Sequence, residues 1–145
     1  MHFNVKKNCF IKGFSISLQR KQGYQTLNME SHSVRTKKDV EDFLRHFLPK
    51  MDVLGIIFLN RSKNQEALKM LGITPLARKE IIKSITADDY IETVLDEFSY
   101  GDMWVFGKDC DGVDVYVKIA LGKPNTNTIC ISFHTAEHPL KYAFK

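Results

Sequence analysis

Nowhere in this 145-residue chain does an apolar run approach the roughly 20 residues a membrane-spanning helix needs, so no helical span is expected. Cysteine is scarce and odd in number. Cys9, Cys110 and Cys130 show no CxxC spacing, which argues against a disulfide framework and suits a reducing, cytoplasmic setting. Acidic residues are missing from positions 1–28, which carry Lys6, Lys7, Lys12, Arg20 and Lys21. The whole chain has a formal net charge of +4, so the remainder is slightly negative and its charge implies little about partners. The stretch Phe10–Leu18 is too short, and too interrupted by Lys12, to be a signal-peptide core. Residues 1–28 are expected to be a loosely ordered basic extension or a segment ahead of a true start at Met29, with a functional basic arm as the alternative. Residues 29–145 show no linker or repeat and are long enough for one domain with its own core.

The clearest pattern that is present lies in the last third. Asp102–Cys110 and Val113–Leu121 are apolar-alternating runs joined by Asp111-Gly112, and Thr128–His134 follows after a Gly122–Asn127 turn. Asp-Gly between two such runs signals a two-residue hairpin, because both central positions need positive φ. That turn sets Cys110 opposite Val113, Phe106 opposite Val117 and Trp104 opposite Ile119, giving a core face. Val105, Gly107, Tyr116 and Lys118 take the other face. Val115, Val117, Ile119 and Leu121 share one side of their strand, and Ile129, Ile131 and Phe133 are expected to share one side of theirs. A slip of one residue would turn apolar side chains toward a polar face. Either permitted register therefore brings Tyr116 opposite or diagonal to Ser132 and His134.

Upstream the reading is helical. Thr36-Lys-Lys-Asp39 forms a capping box with Asp in place of Glu or Gln, and Val40, Phe43, Leu44, Phe47 and Leu48 follow at helical spacing up to Pro49. Val53–Leu59 reads as a short buried strand, although periodicity leaves a helix open. Ser62 caps a helix through Leu68 and Leu71, and Thr74-Pro75 opens another through Leu76, Ile81 and Ile82. Asp88-Asp89-Tyr90 is a turn. Helices first and strands last predict an α+β fold, with the helices packed on the apolar face of a small antiparallel sheet.

Leu71-Gly-Ile-Thr-Pro75, Glu80-Ile-Ile82, Asp89-Tyr90, Trp104, Val115-Tyr-Val-Lys-Ile119 and Ile131-Ser-Phe133 occur in an order that resembles the MqsR-type (motility quorum-sensing regulator) toxins. The resemblance spans roughly residues 36–138, and the Val115–Ile119 and Ser132-Phe133 strands carry most of it. It implies a RelE-like fold and the toxin half of a type II toxin–antitoxin pair. Such toxins cleave mRNA without a metal or other cofactor and are held inactive by an adjacently encoded, DNA-binding antitoxin. The family tyrosine and lysine fall on Tyr116 and Lys118. His134 stands where the well-known member has lysine, Glu92 falls near another family lysine, and Val105 near a family glutamine.

RNA cleavage through its own 2′-OH needs a base, an acid for the 5′-oxygen and positive charge at the phosphate. His134 can serve as base or acid. Lys118 can stabilise the phosphate, with Lys108 or Lys123 nearby, and Tyr116 can donate a hydrogen bond or position the scissile group. The product expected is a 2′,3′-cyclic phosphate. Lys141, in the Lys141–Lys145 tail, is either a further phosphate contact or part of a solvated terminus. Each residue also has a plain reading: Tyr116 and Lys118 as solvated strand residues, His134 as a strand-end residue, Ser132 as a small flanking group, and Trp104 and Phe106 as core. Two rival functions stand beside the ribonuclease. One is an inactive RelE-like binding module that pairs with an antitoxin-like partner. The other is a zinc-dependent hydrolase using His134-Thr-Ala-Glu137-His138, an H-x-x-E-H pattern that requires a helix to bring both histidines to one face; a strand before it and Pro139 after it argue against that helix, so no metal is expected.

Overall fold

Hydrophobic residues at period two build the sheet, and others at helical spacing build the layer that covers it. The computed structural model describes the backbone of residues 14–21, 24–95 and 100–145, and side chains from residue 31 onward within those ranges. In chain order the elements are β1 (Phe14–Lys21), β2 (Tyr24–Ser33), α1 (Lys37–Leu54), β3 (Ile56–Phe58), α2 (Ser62–Leu71), α3 (Pro75–Lys83), a 3-10 turn at Ala87–Asp89, β4 (Tyr90–Leu95), β5 (Met103–Cys110), β6 (Val113–Ala120) and β7 (Thr128–Thr135). The fold is α+β. One sheet runs in the order β1-β2-β4-β5-β6-β7-β3. It is mixed rather than antiparallel, because α1 returns the chain to the free edge of β7 and β3 pairs there in parallel, Ile57 beside Ile129. The helices are also preceded by a strand pair, β1 on β2, and β2 joins β4 through Ser31–Ser33. The boundary expected at residue 29 falls inside β2; residues 1–13, Cys9 among them, lie outside the described residues.

The capping box of α1 forms as expected: Asp39 N–H donates to Thr36 Oγ1 at 3.1 Å, and the Asp39 carboxylate accepts from Thr36 N–H at 3.3 Å. Val40, Phe43, Leu44, Phe47 and Met51 are buried along one stripe. Each contributes about 1.5–3 kcal/mol by leaving water, as an upper bound. Contrary to expectation, the helix does not stop at Pro49. Proline removes one ladder hydrogen bond, but it lies on the exposed side of α1, and the next turn gains a fully buried Met51. Gly55 then ends the helix at φ 85°, its N–H donating to Met51 O at 2.8 Å. The apolar run after it is a strand of three residues and not a buried one: Ile57 is 49% exposed on the sheet edge. Ser62 is the first residue of α2 rather than its cap, which is Arg61. Thr74 caps α3 through Ala77 N–H at 3.1 Å.

Phe43 of α1 stacks on Trp104 of β5 (centroids 4.4 Å, planes 10° apart), joining helix to sheet. Asp111 and Gly112 both have positive φ, 51° and 88°. The β5–β6 register has Cys110 opposite Val113, Phe106 opposite Val117 and Trp104 opposite Ile119, as the turn chemistry predicts. Cys110 and Cys130 are free thiols. Burial pushes Cys130 up to about 12. No helix among the described residues is long and apolar enough to cross a membrane.

After β7 the chain crosses back over the sheet as a strap. Leu140 and Tyr142 lie on Gly107, Ala143 N–H donates to Tyr90 O at 2.9 Å, and Phe144 stacks on Tyr90 at 5.7 Å. The far end is held by Asp89, which meets Lys108 Nζ at 3.2 Å and Lys145 Nζ at 3.7 Å. A Cβ on Gly107 would come within 2.6 Å of both Leu140 Cδ1 and Tyr142 Oη. Gly107→Ala should therefore lift the strap and cost about 1–3 kcal/mol of stability, read as a lower urea midpoint; an unchanged midpoint would mean that the strap is not bound to β5 in this way.

Candidate active site

In the β6–β7 pairing, Tyr116 lies opposite His134 and Lys118 opposite Ser132. The register then shifts, with Ile119 opposite Cys130, so Ile131 is an extra residue. This bulge corrects the expected face assignment. Phe133 and Cys130 enter the main core, while Ile129 and Ile131 join Ala120 in a second cluster against Leu59, Tyr100 and Met103. Alternation cannot reveal this, because one inserted residue inverts every side chain beyond it.

Asn64, in the first turn of α2 and 3% exposed, completes the edge of β7 where β3 has already ended. Its Nδ2 donates to Ile131 O at 3.1 Å and to Leu59 O at 3.0 Å, and its Oδ1 accepts from Phe133 N–H at 3.0 Å. Bonding to the carbonyl before Ser132 and the N–H after it is what one residue of a parallel strand would do. The carboxamide thus extends the β3 edge by one ladder position. It also fixes the start of α2 against β7, so that Arg61 Nη1 donates to Ser132 Oγ at 3.2 Å.

The result is a cleft of about 700 Å³, within the ordinary range for ligand sites. Its floor is Tyr116, Lys118, Ser132 and His134; the start of α2 supplies Arg61 and Lys63, the strap supplies His138, Leu140 and Lys141, and β4 contributes Glu92. The Tyr116 and His134 rings stack at 5.2 Å with planes 15° apart, and Lys118 Nζ lies 6.0 Å from the Tyr116 centroid. His134 Nδ1 is 2.9 Å from Thr135 O. A carbonyl only accepts, so Nδ1 carries the proton and a neutral His134 presents Nε2 with an open lone pair. Glu137 bonds Lys63 Nζ at 2.7 Å, and that ammonium holds its carboxyl below the usual carboxylate range. Glu92 pairs with His32 Nδ1 at 3.1 Å and neighbours the fully buried Val105 across the β4–β5 ladder.

No known protein family, curated protein or solved structure matches this chain.

Of the residues singled out from sequence, Tyr116, Lys118, His134 and Lys141 meet in the one cleft. Lys108 does not. It shares a face with Trp104 and Phe106 and bonds Asp89 on the helix side, which alternation along β5 alone would have indicated. Lys123 sits in the β6–β7 turn, whose backbone is tied to α1 by Lys50 Nζ donating to Lys123 O at 2.8 Å. β6 ends at Ala120, so Lys123 lies beyond the strand and is not among the residues that line the cleft. Arg61, Lys63, Asn64 and His138 were not assigned to the site by sequence reasoning. Only His138 had a signal, the H-x-x-E-H spacing, and it pointed to the wrong geometry. His134 is in β7 and the chain beyond Thr135 is not helical, so the two histidines share no helix face. Among the described residues no group of three or more His, Cys, Asp or Glu side chains is arranged to hold a metal ion.

Replacing Asn64 by Ala would orphan Phe133 N–H and remove one of two donors from Ile131 O and Leu59 O, which keep Arg61 Nη1 at 3.5 Å and Arg61 N–H at 3.0 Å. An unmade buried hydrogen bond costs about 1–3 kcal/mol when water cannot replace it, and a loss of about that size is expected in denaturant unfolding. A loss below about 0.5 kcal/mol, inside the range of ordinary surface substitutions, would mean that the carboxamide is dispensable to the bulge.

Proposed function

We propose that this protein is a metal-independent endoribonuclease of RelE-like fold, acting as the toxin of a type II toxin–antitoxin pair. The observation that carries the reading is His134: its Nδ1–H is engaged and its ring stacks on Tyr116, inside a cleft that also holds the cations Lys118, Arg61 and Lys141. A base with a fixed tautomer beside several positive charges is what attack of a 2′-OH on its own phosphodiester requires. His134 takes the 2′-hydroxyl proton at Nε2. Lys118 offsets charge on the crowded phosphate, and Tyr116 holds the imidazole plane and borders the scissile group. Products are a 2′,3′-cyclic phosphate and a 5′-hydroxyl. The similarity of Val115–Ile119 and Ile131–Phe133 to the MqsR-type toxins supports the same reading, with mRNA as substrate, the cytoplasm as location and an antitoxin as inhibitory partner.

One observation favours the inactive binding module. Glu92, near a position where the family has lysine, lines the cleft and adds a negative charge where phosphate would lie. Four cations, Arg61, Lys63, Lys118 and Lys141, line the cleft against two carboxylates, Glu92 and Glu137; with Lys63 and Glu137 paired to each other, three remain against one. The balance favours an anionic ligand.

Inducible expression of the full chain should arrest growth with loss of mRNA integrity, and His134→Ala should do neither. With purified protein, cleavage should leave cyclic phosphate ends, persist in EDTA, fail on a substrate with a 2′-deoxy at the cut, and fall about 10²–10⁴-fold in His134→Ala. Soluble wild-type protein that neither arrests growth nor cuts RNA would favour the binding module. Activity abolished by EDTA and restored by zinc would favour the hydrolase.

A further inference from the structure

We propose that His138 is the general acid of this site, protonating the departing 5′-oxygen while His134 deprotonates the 2′-hydroxyl. The inference rests on the ribonuclease reading above. Cleavage needs two proton transfers at opposite ends of the reacting phosphorus, and the base accounts for only one.

His138 lines the same cleft as His134 but from a different wall. His134 is on the floor in β7, fixed by its stack on Tyr116 and its bond to Thr135 O. His138 is on the strap. Pro139 after it restricts its backbone to extended conformations, and Leu140 is seated on Gly107. Because the intervening residues are not helical, the two imidazoles approach from separate elements. Glu137, between them in sequence, accepts a hydrogen bond from Lys63 on α2 at 2.7 Å.

The other cleft cations are poorer acids. A guanidinium such as Arg61 does not release its proton in proteins, and an ammonium holds its proton more tightly than an imidazolium. In the step itself the 2′-OH proton passes to His134 Nε2 as the 2′-oxygen bonds to phosphorus. The P–O5′ bond breaks with its electron pair on O5′, which takes the proton from the His138 imidazolium. His134 ends protonated and His138 neutral, and exchange with water resets both.

The test uses full-length wild type, His134→Ala and His138→Ala on two otherwise identical RNA substrates. One has the natural 5′-oxygen at the cut; the other has sulfur there, which leaves as a thiolate without being protonated. His138→Ala should cut the oxygen substrate about 10²–10³-fold more slowly than wild type and the sulfur substrate within a few-fold of wild type. His134→Ala should be slow on both. His138 is exposed, so its replacement should leave the thermal midpoint unchanged, and His138→Gln should behave as His138→Ala does. Equal slowing of both substrates by His138→Ala would overturn the assignment in favour of a positioning role, and wild-type rates on the oxygen substrate would overturn it outright. If wild type cuts neither substrate, the ribonuclease reading itself fails.

Discussion

The carboxamide of Asn64 is the constraint on which the cleft depends. β3 ends at Phe58 while β7 runs on to Thr135, so the outer edge of β7 has no strand beside it where the bulge falls. A bulge leaves ladder groups without strand partners, and buried backbone groups without partners are expensive. Asn64 meets the need by presenting one donor and one acceptor in the geometry of a strand residue. The same bonds dock the start of α2 on β7 and bring Arg61 and Lys63 to the rim. One side chain therefore satisfies the bulge, terminates the parallel edge and builds a wall of the site.

The opposite wall has a different origin. The strap from Ala136 to the end of the chain carries no regular secondary structure, and its position comes from a missing side chain at Gly107 and from the acid at Asp89. Asp89 is 7% exposed and serves several groups at once: Thr86 N–H at 2.9 Å, Lys108 and Lys145. Two lysines around one nearly buried carboxylate keep that charge compensated. Lys108, which reads as a phosphate contact in the sequence, is thereby committed to structure. The charge that faces the cleft comes instead from Lys118 on β6, from the start of α2 and from the strap.

Much of the floor was legible beforehand. That Tyr116 lies opposite or diagonal to Ser132 and His134 follows from two turns, a period-two pattern and the cost of turning Val115, Val117 and Ile119 to water; the exact pairing with His134 comes from the structure. Each of these is a local signal, read within one turn or one strand. The α1 capping box and the Thr74 cap were legible for the same reason, since a cap is a contact across three residues. Pro49 misled because the penalty of a proline inside a helix is fixed, whereas the gain from burying Met51 depends on a sheet far away in the chain. Val53–Leu59 misled because apolar composition does not say whether a strand is central or at an edge.

The sequence by itself determined the α+β class, the starts of α1 and α3, the β5–β6 register and the face that Tyr116, Lys118 and His134 share. Local dihedral preference and side-chain alternation are enough for those. Only the tertiary structure decided the bulge at Ile131, the parallel edge strand, the commitment of Lys108 to Asp89 and the arrival of Arg61, Lys63 and His138 around His134. Each of these depends on how segments distant in the chain pack together, and a local pattern holds no record of which distant group will supply the missing partner.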